Sequence, residues 1–185
     1  GGARSVASVL FCDIRDFTAF ADQMEPEETI KLLRLYHERI GKLIADQKGT
    51  IAHRAGDGIM VIFNDPLPCE RPVLDAVRLG LAINETWRDL REPWCRLGHD
   101  IGLGVGIASG YATMGLLGDS TRVGYVVNLA SRLCDEAGDD ELLIDQRAFM
   151  DVDQEVEAVQ CEAREAKGFT KAIECFKVTG LKASA

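Results

Sequence analysis

Paired cysteines are the first thing this 185-residue sequence lacks. Its six (Cys12, Cys69, Cys95, Cys134, Cys161 and Cys175) are scattered, with no CxxC and no neighbouring histidine ligands. That spacing excludes a zinc knuckle and argues against a disulfide framework, so reduced thiols in a cytoplasmic compartment are expected. Basic residues are also short: 21 Lys and Arg face 30 Asp and Glu, a formal net charge of -9. A protein that grips a nucleic acid polymer through a basic face is excluded on that balance. A small anionic ligand is not, because metal ions or a few local cations can offset the charge. Uninterrupted apolar runs are scarce as well. The longest uncharged stretch, residues 101–118, is broken by six glycines, which suits strands better than a lipid-facing helix. No membrane contact by this domain is expected, whether it acts alone in the cytoplasm or as the cytoplasmic output of a larger, even membrane-bound, protein. No signal peptide opens the chain, and Gly1-Gly2 reads as a cloning remnant.

What is present is ordinary for a globular chain: 46% hydrophobic and 28% charged residues, which excludes disorder, collagen and coiled coil. The length suits one domain over residues 1–185, burying about two-thirds of the unfolded surface. Residues 5–12 form a short, valine-containing apolar run, a buried strand ended by Asp13-Ile14-Arg15-Asp16. Glu25-Pro26-Glu27-Glu28 opens a helix, and Leu32, Leu33, Leu35, Tyr36, Ile40, Leu43 and Ile44 carry its apolar stripe to a stop at Lys48-Gly49. Residues 50–55 and 59–63 read as strands joined by Gly56-Asp57-Gly58. A second amphipathic helix spans 71–91 and another strand 101–109, with 111–117 as its hairpin partner. The order is strand, helix, strand, strand, helix, strand: an α+β fold with a ferredoxin-like βαββαβ core. A helix near 126–137, a strand at 142–144 and C-terminal strands ending at 175–178 follow it.

In that topology the first two strands run the same way, so the end of strand one and the turn between strands two and three share one sheet edge. Asp13 lies at the first position and Asp57 at the second. Converging carboxylates repel unless protonated or bridged by a cation, which makes Mg²⁺ or Mn²⁺ a natural occupant. Glycines flanking Asp57 permit a sharp turn and close approach of a ligand. Gly-Asp-Gly is equally common as plain turn chemistry, so topology alone leaves both readings open.

Four motifs add to this. Phe11-Cys12-Asp13-Ile14-Arg15-Asp16-Phe17-Thr18 resembles the FxDIxxFT motif of class III nucleotidyl cyclases, and Gly56-Asp57-Gly58-Ile59-Met60 resembles their second metal motif. Asn128-Leu129-Ala130-Ser131-Arg132 is similar to their NxxxR motif, and Lys167-Gly168 to a late Lys-Gly that meets the triphosphate. The four occur in the family's order and cover nearly the whole chain. The resemblance implies that Asp13, Asp57 and the carbonyl of Ile14 hold two divalent ions over a nucleoside triphosphate. It further implies that Arg132 neutralises charge at the α-phosphate, Asn128 orients the ribose, and Lys167 contacts the triphosphate, with Lys171 a second candidate. Asn128 and Arg132 stand i and i+4, on one helix face. Taken alone, Arg132 could equally pair with Asp135 or Glu136. In the family the metal aspartates come from one subunit and the Asn/Arg pair and lysine from the other, so a head-to-tail homodimer is expected.

The sequence departs from the family pattern at the base. Adenine-specific members usually carry a lysine four residues before the second metal aspartate, where this chain has His53. The lysine's usual partner is an aspartate seven residues before the asparagine, where this chain has Thr121, as in a bacterial subclass of adenylyl cyclases. A neutral imidazole can donate and accept, so His53 could serve either purine. The expected reaction is ATP to cyclic 3′,5′-AMP and pyrophosphate. The alternatives are a cyclase for GTP or a pyrimidine triphosphate, and a regulatory domain that binds nucleotide with little turnover. His37 and His99 have no clustered partners and read as structural or surface residues. Trp87 and Trp94 read as packing anchors, and Cys12 as a buried small hydrophobe.

Overall fold

A computed structural model of the chain describes residues 4–65, 67–113, 120–163 and 173–183. Seven strands form one sheet in the order β2-β3-β1-β4-β5-β7-β6. The first four elements of that order are β2 (Thr50–Ala55), β3 (Gly58–Phe63), β1 (Arg4–Ile14) and β4 (Leu103–Thr113), the ferredoxin-like core read from the sequence. β1 lies between β3 and β4 and runs antiparallel to both. The added strands extend the β4 edge: β5 (Glu141–Asp145) pairs parallel to β4, and β7 (Ile173–Leu181) and β6 (Val156–Ala163) follow antiparallel.

Helices cover both faces, which is why β1 is apolar almost throughout. Leu10, Cys12 and Ile14 point into a core shared with α2 (Pro26–Asp46) and α3 (Pro72–Leu90). Ala7 and Val9 point the other way, into a second core under α5 (Ser120–Glu136). α2 starts with Pro26 in its first turn and Glu27 and Glu28 beside it, as its sequence requires, and buries Leu32, Tyr36, Ile40 and Ile44 at four-residue steps. Each such fully buried large side chain contributes roughly 1.5–3 kcal/mol. Trp87 is fully buried against Tyr36, its ring edge-on at 5.9 Å, and its indole N–H donates to the Ile101 carbonyl at 3.1 Å. Trp94 is buried too, so both tryptophans are packing anchors.

Three short helices were not anticipated: α1 (Phe17–Gln23), α4 (Glu92–Arg96) and α6 (Gln146–Val152). α1 has Asp16 at its N-cap, but that side chain makes no capping hydrogen bond and no acid follows in the first turn, so its start signal is weak. The hairpin partner expected at 111–117 is corrected. Tyr111 to Thr113 continue β4 itself, in register with Val6 to Arg4 on β1, and residues 114–117 lie outside the described residues. The long β1 partner keeps the ladder going where glycine and the polar Tyr-Ala-Thr segment suggested a turn. Among the described residues no helix is long and apolar enough to cross a membrane.

Candidate functional site

The β1–β3 ladder ends at Cys12↔Ile59, so Asp13 and the Gly56–Gly58 turn meet beyond it at one edge. The contact is direct: the backbone N–H of Ile14 donates to Asp57 Oδ2 at 3.0 Å. Gly56 sits at φ +62°, a left-handed conformation that glycine adopts without strain. The turn is braced from outside the sheet by His37 on α2, whose Nε2–H donates to the Gly56 carbonyl at 2.7 Å. Past Ile14 the chain turns at once into α1, through Asp16 at φ 52°. The result is a cleft of about 530 Å³ lined by Ile14, Asp16, Phe17, Thr18, Ala19, Asp22 and Asp57.

Asp13 lies under this edge. Its Oδ1 is buried and accepts no hydrogen bond, the nearest cation being Arg15 Nη2 at 3.4 Å. Burial pushes the Asp13 carboxyl above the usual carboxylate range, Arg15 opposes that rise, and the charges of Asp57 and Asp135 add to it. A buried oxygen without a donor, beside a second carboxylate, is a place where a cation lowers the energy. Hard oxygen donors such as these two aspartates suit Mg²⁺ or Mn²⁺. Among the described residues no cluster of three His, Cys, Asp or Glu side chains offers an all-protein cage.

Arg15 itself was not singled out from the sequence. Its guanidinium crosses from Asp13 to the C-terminal end of α5, donating to the Cys134 carbonyl and, at 3.1 Å, to the Asp135 carbonyl. A helix C-terminus presents unpaired carbonyls and partial negative charge, which a guanidinium satisfies. Gly104 on β4 makes the crossing possible, since a Cβ there would collide with the Arg15 guanidinium. The pattern that could have flagged Arg15 is a cation two residues after Asp13, opposite a glycine-rich strand.

α5 is seated on the sheet by a second glycine. A Cβ on Gly106 would run into the helix backbone at Cys134 N, Ala130 O and Leu133 C, so the helix lies directly on β4. Leu129, Ala130 and Leu133 are buried beneath it, whereas Asn128 is exposed and Arg132 half-exposed. Arg132 Nη1 stands 3.8 Å from Asp135 Oδ2, both side chains substantially in solvent, an ion pair worth little. Neither Asn128 nor Arg132 lines the Asp57 cleft. His53 is in β2 opposite Met60, just after a register shift following Ile51, and Thr121 is in the first turn of α5. Nothing is described of either side chain, and Lys167 and Lys171 lie outside the described residues. His99, edge-on to Phe20 at 5.6 Å, is a packing residue.

Residues 3–180 match the family model for the adenylate and guanylate cyclase catalytic domain. An adenylate cyclase of Anabaena cylindrica is 34% identical over 132 residues, 68% of this chain but only 26% of that protein. The chain thus spans about a quarter of that relative's length. Among solved structures, the adenylyl cyclase CyaB from P. aeruginosa superimposes with a TM-score of 0.87 at 29% identity, covering 100% of this chain and 99% of that one. The guanylyl cyclase Cya2 superimposes with a TM-score of 0.85 at 27% identity, covering 99% and 96%.

Proposed function

From the premise that this chain belongs to the adenylate and guanylate cyclase catalytic-domain family, we propose that it is a nucleotidyl cyclase that converts ATP to cyclic 3′,5′-AMP and pyrophosphate in intracellular signalling. The observation that carries this reading is the hydrogen bond from Ile14 N–H to Asp57, which draws two distant acidic motifs to one cleft. Asp13, Asp57 and the Ile14 carbonyl are the residues to hold two divalent ions. Bound there, those ions supply the positive charge that acidifies the ribose 3′-hydroxyl and stabilises the departing pyrophosphate. His37 fixes the turn that aims Asp57, and Arg15 fixes Asp13 against α5. Arg132 neutralises charge growing on the α-phosphate, Asn128 holds the ribose in the attacking geometry, and Lys167 binds the triphosphate.

Asn128 and Arg132, the described α5 residues of the catalytic set, do not line the Asp57 cleft of their own chain, which supports completing the set from a second copy. We place Asn128 and Arg132 of one subunit opposite Asp13 and Asp57 of the other, in a head-to-tail homodimer with two sites. ATP is favoured by the adenylate cyclase relative and by Thr121. His53, standing where adenine readers carry lysine, favours a second reading in which another base is preferred.

The test offers ATP, GTP, CTP and UTP separately with Mn²⁺ and identifies products by mass spectrometry. A cyclic 3′,5′-monophosphate from ATP, lost in Asp57→Ala, is the expected outcome. Faster cyclisation of another triphosphate would keep the chemistry and overturn the substrate. Bound nucleotide with no cyclic product at high protein concentration would make this a regulatory nucleotide-binding domain.

A further inference from the structure

Strands β6 and β7 bring two of the six cysteines face to face. Cys161 and Cys175 are direct partners in the antiparallel register, and their sulfurs stand 2.8 Å apart. Directly opposed residues in such a ladder have Cα atoms about 4.5–5.5 Å apart. A disulfide spans Cα separations of about 4.4–6.8 Å, so the backbone need not move for these two to bond. The pair is also asymmetric. Cys175 is fully buried in the core under α5, while Cys161 is half-buried at the margin of that core. The buried Cys12 and Cys134 thiols have other partners, the Tyr36 hydroxyl and the Gly104 carbonyl respectively.

We propose that Cys161 and Cys175 are a modification site: a dithiol that closes to a cross-strand disulfide on meeting a small-molecule disulfide, and reopens with a small-molecule dithiol. The Cys161 thiolate attacks one sulfur of the oxidant RSSR, forming a Cys161–SR mixed disulfide and releasing RS⁻. The Cys175 thiolate then attacks Cys161 Sγ and displaces the second RS⁻. Two electrons pass from the cysteine sulfurs to the oxidant, and the two thiol protons end on two RSH. The half-buried cysteine is the entry point and the buried one resolves it, because a bulky oxidant cannot reach Cys175 first. The ring so closed spans the stretch of sequence that carries Lys167. The site is independent of the proposed cyclase reaction.

The experiment uses the full reduced chain with glutathione disulfide, followed by intact mass and tryptic peptide mapping under non-reducing conditions. Trypsin can separate the two cysteines, because Arg164, Lys167 and Lys171 lie between them. The expected result is a monomeric chain lighter by two hydrogen atoms, a linked pair of peptides carrying Cys161 and Cys175, and full reversal by dithiothreitol. Cys161→Ser is expected to lose the link and leave Cys175 unmodified. A stable glutathione adduct on Cys161 with Cys175 still a thiol would overturn the proposal. So would a bond between chains, or no thiol loss at a concentration that modifies the half-exposed Cys69 or Cys95. The wild-type peptide map decides between these even if the serine variant folds poorly.

Discussion

Arg15 Nη2 lies 3.4 Å from Asp13 Oδ1 and also donates to the Cys134 carbonyl, while Nη1 of the same guanidinium donates to the Asp135 carbonyl at the end of α5. One guanidinium therefore joins the acidic sheet edge to the helix that carries Asn128 and Arg132. The ion pair only partly offsets what burial costs the Asp13 carboxylate, whose pKa stays raised. A raised carboxyl means that at neutral pH the charged form destabilises the metal-free fold. Asp13→Asn is therefore expected to raise the metal-free melting temperature while abolishing turnover. A lower melting temperature, with Mg²⁺ and Mn²⁺ chelated, would show that Asp13 is held for stability and not for an ion.

Arg15→Gln should act in the opposite sense. It removes the cation and most of the donors to the Cys134 and Asp135 carbonyls, two acceptors at a helix end. Losing charge-assisted hydrogen bonds of this kind costs about 1.5–3 kcal/mol. The midpoint of chemical denaturation is expected to fall accordingly, with Arg15→Lys intermediate because an ammonium cannot fork across two carbonyls. An unchanged midpoint would mean that the crossing is not made in solution.

The seating of α5 can be tested through glycine. Gly106→Ala would drive a methyl group into the backbone of α5, which cannot yield as a side-chain tip does. Overpacking of this type costs about 1–3 kcal/mol and here also lifts Asn128 and Arg132. Stability and kcat are expected to fall together. Gly180→Ala, where an added Cβ meets nothing within 4 Å, is the matched control and should leave both unchanged. Equal effects at the two glycines would refute the close approach.

Asp145 gives a pH dependence away from the cleft. Its Oδ1 accepts both the Ala148 N–H at 3.1 Å, capping α6, and the Ser109 N–H at 3.3 Å. Burial nonetheless pushes its carboxyl up to about 6 from an ordinary 3.8. With the folded value above the unfolded one, the native state holds more protons between them. This group's contribution is thus complete below about 3.8 and is lost as pH rises through about 6. The loss is on the order of 2–3 kcal/mol. An asparagine carbonyl can keep both N–H bonds, so Asp145→Asn should be more stable than wild type at pH 8 and lose that advantage near pH 4. Paired denaturation curves at the two pH values measure it. A variant less stable than wild type at pH 8 would show that the carboxylate charge itself is needed.

The parts of this fold that were legible in sequence are those governed by periodicity and turn chemistry. The stripe of α2, the apolar β1 and the Gly-Asp-Gly turn each reported their element, and the strand order then placed Asp13 beside Asp57 before any coordinates. What stayed hidden depends on tertiary contact. α1 is only seven residues long, and Asp16 at its N-cap makes no capping hydrogen bond and is followed by no acid in the first turn, so its start signal is weak. His37 has nothing in its own neighbourhood to mark it, and Arg15 only its place two residues after Asp13; their partners, at Cys134, Asp135 and Gly56, are supplied by other elements. β4 runs past Ser109 because β1 offers it partners as far as Arg4, which hydropathy along one strand cannot reveal.

The proposed division of the site between two chains yields the last prediction. Asp57 lines the cleft and Arg132 does not. If the two meet only across an interface, Asp57→Ala and Arg132→Ala should each be nearly inactive alone, yet recover on mixing. Random pairing of equal amounts makes half of the dimers mixed, and each mixed dimer holds one site with both residues intact and one with neither. The mixture should then reach about a quarter of wild-type activity per chain. It should also lose that activity on dilution more steeply than a single chain would, because the site disappears with the dimer. A mixture as inactive as its parents, at concentrations where wild type is fully active, would put all the catalytic residues in one chain and remove the head-to-tail arrangement.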